Sequence, residues 1–370
     1  MKITGLNVQR FQSEETAAAS SYGKEIVVVH VETDAGHVGM GFKTASAVTG
    51  PILKALIEQA IAPVIVDREP SLTSDIWQAM YDAIPRRGGD GIMRNAIAAV
   101  DFAIWDLRGK SAGLPVWKLL GGNRTFVPTY ANCAHHMPAD ALAKRAAEYV
   151  KLGHRALKIR GTRSFVTPAE ATARVQAVRE AIGPDVRLMV DVNGSWDTDT
   201  AIQQLKAWEP FDVYWLEEPV PPHDVDGYAR VRERAGSTYI VGGEQHVGLL
   251  EFKALIECDG VDIVQPNAAL TGGITDWLRI NAYAAANSVP VSPWNLQQVH
   301  IHMAAGLANV QWIEYFMADN ALLKFQGELL SGTTLEEVVQ DDGVYLKVPD
   351  GPGLGLNLNA DVAERTRVVC

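Results

Sequence analysis

From Val127 onward, the chain repeats one pattern eight times: a short run of β-branched and aromatic residues, then an amphipathic helical stretch. The runs begin at intervals of roughly 20 to 30 residues, the length of one strand-plus-helix unit. They are VPTYAN, ALKIR, VRLMVDVN, VYWLEEP, YIVGGE, VDIVQPN, VPVSPW and VQWIEY. Eight such units predict an α/β fold of the closed-barrel type. An open doubly wound sheet is the alternative, but no glycine-rich phosphate fingerprint supports it.

The segments that flank the repeat have other patterns. EIVVVHVETDAG followed by HVGMGF alternates apolar and polar residues, which predicts an antiparallel meander with a turn at Asp-Ala-Gly. A helix is predicted over residues 93–110. Its apolar face consists of Ile97, Val100, Ile104 and Leu107. We therefore predict an N-terminal α+β capping domain (residues 1–125), a barrel domain (126–320) and a C-terminal segment (321–370) that packs back on the capping domain.

Composition excludes several classes of partner. The chain has 370 residues, 47% of them hydrophobic, so it can bury a large core. No run approaches the roughly 18 apolar residues of a membrane span. Three widely spaced cysteines without CxxC spacing indicate reduced thiols, and we expect a cytoplasmic protein. The formal charge of −11 argues against nucleic acid or anionic membranes as partners, although a local cationic pocket can still bind a small acid.

Three carboxylates follow successive runs of the repeat. Asp191 lies in LMVDVNG, Glu217 in YWLEEP and Glu244 in IVGGEQH. Because Mg²⁺ prefers oxygen ligands, three carboxylates at neighbouring strand ends can hold the ion and leave positions open for substrate. Any one of them alone would be interpreted as a solvated surface acid. Their regular succession favours a metalloenzyme.

Strand alternation adds two cations to this region. Residues i and i+2 share one face of a strand, so Lys158 and Arg160 are both expected to point into the barrel mouth. A neighbouring Arg160 and a bound dication would both lower the pKa of Lys158 toward the range of a general base. Arg160 stays charged and would hold an anionic group. The alternative is that both side chains merely pair with the barrel carboxylates.

The same alternation predicts further polar groups at the mouth. Asn193 is expected beside Asp191, and His246 beside Glu244. Since histidine titrates near neutrality, His246 is a second candidate for proton transfer.

At these motifs the chain resembles the enolase superfamily, in its mandelate racemase and muconate-lactonizing branch, over nearly its whole length. The resemblance rests on ALKIR, MVDVNG, WLEEP, GGEQH, DIVQPN with TGGIT, WIEYF, NAIAAVDFAIWDLRGKSAGLPVWKLLGG and PGLG. It implies a modified (β/α)7β TIM barrel beneath an α+β capping domain, with Mg²⁺ on Asp191, Glu217 and Glu244. It also implies removal of the α-proton from a carboxylate substrate, with stabilisation of the enediolate.

The chain departs from the family pattern at its proton-transfer positions. Relatives of the mandelate racemase type usually carry Lys-x-Lys on the second strand, where this chain has Arg160 as the second residue. The usual His-Asp dyad is replaced by Asn267 and Trp294. Glu314 keeps the acid of the eighth strand, which in such relatives can donate to the substrate carboxylate. Lys158 matches the first lysine of the motif and is the leading candidate base.

Other side chains are candidates for contacts with substrate. Tyr22 lies in the loop region that covers the substrate in relatives. His300 and His302 follow the seventh strand in an apparent amphipathic helix, which favours a structural role; alternatively, His300 faces the mouth and contacts substrate. Asn193, Asn267, Trp294 and Glu314 complete the predicted substrate-binding set.

Three functions remain open from the sequence. A racemase needs proton donors on both faces of the α-carbon, and Trp294 occupies the second position, so racemisation is disfavoured. A syn elimination of water needs only one acid/base group and the metal, which favours dehydration of a sugar acid. A cycloisomerase or epimerase of a lactone or amino-acid-like carboxylate is the second hypothesis. The third is a non-catalytic protein that binds metal and a carboxylate. A homo-oligomer, a dimer or an octamer, is expected from the resemblance.

Overall fold

The computed structural model describes residues 1–14, 24–86, 88–133, 137–161, 166–317, 320, 322–331 and 335–368. The predicted substrate contact Tyr22 lies outside these ranges. The N-terminal part begins with an antiparallel three-stranded meander, as predicted. Its strands are β1 (Ile3–Gln12), β2 (Glu25–Thr33) and β3 (Val38–Ala45). Its helices are α1 (Thr49–Ala55), α2 (Ala62–Ile65), α3 (Thr73–Asp82), α4 (Ile92–Ala112) and α5 (Val116–Leu119), with a π-helical segment, Leu56–Ile61, between α1 and α2.

Helix α4 packs against the meander through two glycines. A Cβ atom built on Gly39 would lie 2.0 Å from the carbonyl oxygen of Ala103, and one on Gly41 would lie 2.0 Å from that of Ala99. Only glycine permits an approach this close. The apolar face predicted for this helix is fully buried, and Gly113 ends the helix with a φ of 66°.

The second part is a closed barrel of parallel strands. Its strands are β4 (Phe126–Asn132), β5 (Ala156–Arg160), β6 (Arg187–Asp191), β7 (Val213–Glu217), β8 (Tyr239–Gly242), β9 (Ile263–Val264) and β10 (Ile313–Tyr315). Between β9 and β10, Val291 bridges to both Val264 and Val310 and supplies the remaining position in the wall. Strand β10 pairs in parallel with β4 and closes the barrel. The fold is therefore the predicted (β/α)7β barrel with a capping domain.

The barrel strands alternate with helices in the outer layer. These are α6 (Ala139–Lys151), α7 (Pro168–Ile182), α8 (Thr198–Trp208), α9 (Val225–Arg232), α10 (Leu249–Glu257), α11 (Ala268–Thr271), α12 (Ile274–Ala286) and α13 (Gln297–Gly306), with a 3₁₀ turn at Glu209–Phe211. Capping residues in the sequence fix the N-termini of two of these helices. Thr167 and Glu170 form a capping box before α7, and the Asp197 side chain caps α8.

Strand register brings the functional side chains level with one another. Arg160 on β5 pairs with Asp191 on β6, which pairs with Glu217 on β7. Beneath them, the barrel interior is filled by an apolar cluster that includes Tyr130 and Trp215, whose rings meet edge to face at 4.9 Å. The barrel interior is therefore a packed core beneath the polar mouth.

The C-terminal segment contacts both domains. It contains α14 (Lys324–Leu329), β11 (Leu330–Ser331), β12 (Glu337–Gln340), β13 (Gly343–Lys347), β14 (Asn357–Leu358) and α15 (Ala360–Thr366). Strand β13 pairs antiparallel with β4, so this hairpin extends the barrel wall and not the capping sheet. Farther on, the Val368 amide donates to the Arg10 carbonyl of β1 at 2.9 Å. Between the hairpin and the end of the segment, the Pro349 carbonyl accepts from Trp117 at 3.0 Å, so the part of the segment after the hairpin also contacts the capping region.

Two buried aspartates of α4 hold the capping domain to its neighbours. Asp101 accepts from the hydroxyl of Thr275 at 2.6 Å and from its amide at 3.0 Å, on the barrel side. Asp106 accepts from the amide of Met40 in β3 and from that of Leu354 in the C-terminal segment, both at 2.8 Å. Within the described part of the chain, no helix combines the length and apolar composition that crossing a membrane requires.

Candidate metal centre and active site

The three predicted carboxylates converge at the barrel mouth. Asp191 ends β6, Glu217 ends β7 and Glu244 follows β8, and one oxygen from each lies within 4.8 Å of the others. All three side chains are buried. Burial raises the pKa of Glu217 to about 7, although the charge of Lys158 acts in the opposite direction. Burial, followed by repulsion from neighbouring carboxylates, raises the pKa of Glu244 well above its usual range. Such a cluster of negative charge favours the binding of a cation.

The donor set fits a hard dication. Among the described residues, Asp191 Oδ2 and Glu244 Oε2 are buried without a hydrogen-bond partner. Buried carboxylate oxygens without partners are costly, and coordination to Mg²⁺ would satisfy them. Among the described residues, the three groups that meet here are all carboxylates, which is a hard donor set. The three residues present are therefore positioned to bind a metal ion.

Lys158 and Arg160 both reach the carboxylates, as strand alternation predicts. The Lys158 ammonium donates to Glu217 at 2.6 Å and lies 2.8 Å from Glu314. Arg160 donates to Asp191 at 3.0 Å. Burial alone would lower the pKa of Lys158, yet Glu217 and Glu314 raise it well above its ordinary value. The predicted lowering of this pKa is thus reversed, because the paired carboxylates outweigh the effect of burial.

A fourth carboxylate, outside the set predicted from the sequence, lies against the three predicted ligands. Glu218 is fully buried, and burial followed by the charge of Asp191 raises its pKa to about 8. Its Oε2 accepts from Asn193 at 3.0 Å and from Gln245 at 2.6 Å. The Asn193 amide also donates to Glu244 at 2.7 Å. Asn193 was predicted to bind substrate; in the structure its amide orients two of the carboxylates. The sequence signal for Glu218 was the second glutamate of YWLEEP, directly after Glu217.

Glu314 is held by three donors on the opposite side of the mouth. Besides Lys158, its Oε1 accepts from Asn132 at 2.8 Å, and its Oε2 accepts from the Asn295 amide at 2.9 Å. The side chain is fully buried. A carboxylate with this many donors is fixed in place. Asn132 was missed, although it ends the first barrel run, where a polar residue marks the mouth.

The two positions of the missing dyad, Asn267 and Trp294, both lie in the loops that follow strand positions of the barrel wall. The Asn267 side chain caps α11 by accepting from the Ala269 amide at 2.7 Å. Trp294 is half-buried in the loop after the seventh position of the barrel wall. His300 connects the loops that carry these two residues. Its Nε2 accepts from the Ala268 amide at 3.2 Å, so Nδ1 carries the proton and donates to the Asn295 carbonyl at 2.6 Å.

The predicted role of His300 in substrate binding is wrong. Both ring nitrogens are bonded to backbone groups and the ring is fully buried, so neither nitrogen can reach a ligand. Burial lowers its pKa to about 3, although the hydrogen bond to the Asn295 carbonyl acts in the opposite direction. His302 is also buried, with Nε2 at 3.2 Å from the Leu354 carbonyl. The structural interpretation of these helical histidines is the correct one.

His246 does not lie on a strand face. Strand β8 ends at Gly242, and Gly243 turns the backbone with a φ of 128°, so alternation from Glu244 to His246 does not apply. The imidazole packs against Tyr228 of α9 and Phe252 of α10, at ring-centre distances of 6.3 and 5.8 Å. Burial lowers its pKa to about 4, although the Pro222 carbonyl acts in the opposite direction. The geometric argument for His246 as a base was therefore wrong.

Comparison with known proteins agrees with this architecture. Residues 4–121 match the mandelate racemase / muconate lactonizing enzyme N-terminal domain, and residues 141–362 match the enolase C-terminal domain-like family. The chain belongs to the mandelate racemase and muconate lactonizing enzyme branch of the enolase superfamily. The resemblance drawn from the motifs is confirmed.

Relatives in this family are dehydratases and cycloisomerases. The chain is 32% identical to the D-galactarolactone cycloisomerase of Agrobacterium fabrum, with 100% of this chain and 99% of the relative covered. It is 31% identical to the L-talarate/galactarate dehydratase of Salmonella typhimurium, with 93% and 83% covered.

The crystal structure of L-talarate dehydratase from Polaromonas sp. JS666, complexed with Mg and L-glucarate, superposes with a TM-score of 0.85 at 31% identity, covering 100% and 99%. This family member and others contain magnesium, which agrees with the donor set of the acidic triad and confirms Mg²⁺ as the cofactor.

Proposed function

We propose that this family member is a Mg²⁺-dependent hydro-lyase that removes the α-proton of a sugar acid and expels water by syn elimination, giving a 2-keto-3-deoxy acid. The observation that carries the proposal is the buried triad with two unpartnered oxygens beside Lys158 and Glu314. The dehydratases among the relatives support the reaction class, and the glucarate-bound neighbour supports a hydroxylated carboxylate as substrate.

In this proposal, Asp191, Glu217 and Glu244 hold the ion. Bound Mg²⁺ would polarise the substrate carboxylate and stabilise negative charge on the enediolate. Asn193 and Glu218 keep the ligand carboxylates oriented, since one amide bridges Glu218 and Glu244. Arg160, charged at all relevant pH values, neutralises the site and holds an anionic group of the substrate.

Lys158 is the proposed base. Its Nζ lies at the junction of Glu217 and Glu314 and is nearly inaccessible to bulk water, so a proton taken there stays within the site. Glu314 and Asn132 fix the direction in which the amine points. When Glu217 also coordinates Mg²⁺, its negative charge would stabilise the Lys158 ammonium less. The pKa of Lys158 would then fall from its raised value.

The second face of the substrate has no acid/base group in this proposal. Asn267 is engaged in capping α11, and the Trp294 indole has no titratable group. With proton transfer confined to one side, elimination proceeds syn and racemisation is excluded. Asn267, Trp294 and Glu314 form the proposed polar and aromatic walls of the substrate pocket, and Tyr22 remains a predicted contact from the covering loop.

Cycloisomerisation of a sugar-acid lactone is the second candidate. It needs the same metal and a single acid/base group, and the whole-chain match to a D-galactarolactone cycloisomerase favours it specifically. An epimerase of a lactone or amino-acid-like carboxylate is less consistent with Trp294 at the second proton-transfer position.

The test is a screen of acid sugars and their lactones with purified protein and Mg²⁺. Formation of 2-keto acids supports the dehydratase, and conversion of lactone without a 2-keto product supports the cycloisomerase. NMR in D₂O reports exchange of the α-proton independently of net turnover. If the protein binds Mg²⁺ and sugar acids tightly but exchanges no proton across the set, it is a binding protein and the catalytic proposal fails.

The identity of the base is tested by two substitutions. Lys158→Gln keeps hydrogen-bonding capacity toward Glu217 and Glu314 and is expected to abolish α-proton exchange while Mg²⁺ still binds. His246→Ala is expected to leave exchange within about threefold of the wild type, since its ring packs on helices outside the barrel. Loss of exchange in His246→Ala, with retention in Lys158→Gln, would transfer the chemistry to the histidine.

We also propose a cytoplasmic homo-oligomer, either a dimer or an octamer. The described cysteines Cys133 and Cys258 are free thiols, which suits a reducing compartment. Light scattering on the eluting peak of a sizing column measures the assembly directly, and a monomer at micromolar concentration would refute it.

A further inference from the structure

Arg94, at the start of α4 in the capping domain, makes an unusual number of contacts with the barrel. Its Nη1 donates to the Thr271 carbonyl at 2.9 Å and to Asp276 at 2.8 Å. Its Nε donates to Asp90 of its own domain at 3.1 Å. The guanidinium also lies 5.1 Å from the ring centre of Tyr81. The side chain is only 9% exposed, so these contacts are made away from bulk water.

The same guanidinium touches a second barrel loop. A Cβ atom built on Gly248 would lie 2.7 Å from Cζ of Arg94, so the charged group packs directly on the backbone there. Gly248 has a φ of 77° and stands four residues after the metal ligand Glu244. Thr271, the hydrogen-bond partner on the other loop, ends α11, which Asn267 caps. One side chain therefore bridges the loop that carries Glu244 and the loop that carries Asn267.

A neighbouring arginine shares some of these partners without the bridge. Arg279 donates to the other oxygen of Asp276 at 3.2 Å and stacks 4.6 Å from the ring centre of Trp77, over which Arg94 also lies at 5.7 Å. Arg279 is 36% exposed, and its described contacts include neither Gly248 nor the Thr271 carbonyl. The charge beside Asp276 is thus supplied twice, and of these two arginines Arg94 is the one that contacts both loops.

We propose that Arg94 is a positioning residue through which the capping domain fixes the Glu244 loop in the conformation that binds Mg²⁺. Glu244 lies beyond the end of β8, so the strand ladder does not hold it. The Asn193 amide fixes one carboxylate oxygen, and Arg94 fixes the end of the turn. The planar fork of arginine can engage both loops at once, whereas a lysine can satisfy only one of them. The inference rests on the proposed metal site and adds the capping domain as its support.

The experiment is titration calorimetry of the full chain with Mg²⁺ alone, which requires no turnover. Arg94→Met removes the charge and the fork, Arg94→Lys keeps the charge and removes the fork, and Arg279→Met is the matched control. We expect both Arg94 variants to raise the Kd for Mg²⁺ about tenfold, at the lower end of effects seen when groups behind metal ligands are removed. Arg279→Met is expected to stay within about twofold. Circular dichroism confirms that each variant is folded.

Several outcomes of the titration would contradict the inference. If Arg94→Lys binds Mg²⁺ like the wild type, charge alone matters and the bridging role is refuted. If Arg279→Met weakens binding as much as Arg94→Met, the effect is general destabilisation of Asp276. Should Arg94→Met fail to fold, the Arg94→Lys arm decides alone. The wild type and Asp191→Asn report on the metal site itself: failure of the wild type to bind Mg²⁺ refutes the proposed function, whatever Arg94 does.

Discussion

Replacing His300 separates a structural role from a substrate contact. Its two ring nitrogens bond the Ala268 amide and the Asn295 carbonyl, which lie on the loops carrying Asn267 and Trp294. His300→Leu removes both bonds. His300→Asn places an amide nitrogen near the Nδ1 position and keeps the donor to Asn295, whereas His300→Gln places an oxygen near Nε2 and keeps the acceptor for Ala268.

The magnitude follows from the two backbone groups that lose their partners. Each buried unpaired group costs about 1–3 kcal/mol, so His300→Leu is expected to lower the free energy of unfolding by about 2–6 kcal/mol. Each amide variant retains one bond and is expected to lose about half as much. Urea unfolding followed by tryptophan fluorescence at pH 7.5 measures these differences, and the kinetic constants are measured on the same preparations.

A pH series provides an independent check on the buried ring. Burial lowers the pKa of folded His300 to about 3, below its unfolded value of 6.5. The stability that this neutral ring contributes is therefore complete above pH 6.5 and is lost as pH falls toward 3. Between pH 7.5 and 5, the advantage of the wild type over His300→Leu is expected to shrink by about 2 kcal/mol.

Two outcomes would refute this account of His300. The first is a leucine variant whose unfolding free energy stays within about 0.5 kcal/mol of the wild type while KM rises strongly, since that pattern belongs to a surface group that touches ligand. The second is an asparagine and a glutamine variant no more stable than leucine, which would mean that neither backbone bond contributes.

Three further predictions concern the charged groups of the site and of the domain interface. Mg²⁺ at a hundred times its Kd is expected to stabilise the wild type against urea by about 2.7 kcal/mol, and Glu244→Gln should show no such gain. Without metal, Glu244→Gln should be at least as stable as the wild type, because repulsion among the carboxylates is relieved. Asn132→Leu is expected to lower kcat/KM at least about tenfold with Mg²⁺ affinity unchanged, because Glu314 loses a donor that directs Lys158; calorimetry and initial rates test this together. Burial raises the pKa of folded Asp101 to about 7 from 3.8. The contribution of the protonated side chain to the free energy of unfolding is therefore complete below pH 3.8 and is lost as the pH rises through 7. Relative to Asp101→Asn, the wild type is therefore expected to lose about 3 kcal/mol between pH 5 and 8.5, and a pH-independent difference would contradict it.

The convergence of the three carboxylates was predictable because each follows a strand whose apolar pattern is unambiguous. Asp191 and Glu217 end paired strands in register, so strand geometry alone brings their side chains together. The positions of Lys158 and Arg160 at the barrel mouth were predictable for the same reason, since both lie near the end of β5. His246 was not, because β8 ends two residues before Glu244 and the alternation rule has no meaning in a turn.

Contacts between distant segments were beyond sequence reasoning. The Arg94 bridge joins α4 to loops more than 150 positions away, and no local pattern marks its partners. The state of Lys158 depends on Glu314, which arrives from the last strand of the barrel. Its pKa is set by which carboxylates the closed barrel brings within reach, and closure is a property of the whole fold.

By itself, the sequence determined the repeat, the barrel and the meeting of three carboxylates at its mouth, because periodicity and strand ends act over a few residues. The tertiary structure decided the rest: that Glu218 lies among the ligands, that His300 connects two loops, and that the C-terminal hairpin extends the barrel wall. These features depend on side chains meeting across distant segments. Burial then makes the energy of each meeting large, because water is no longer present to compensate an unpaired group.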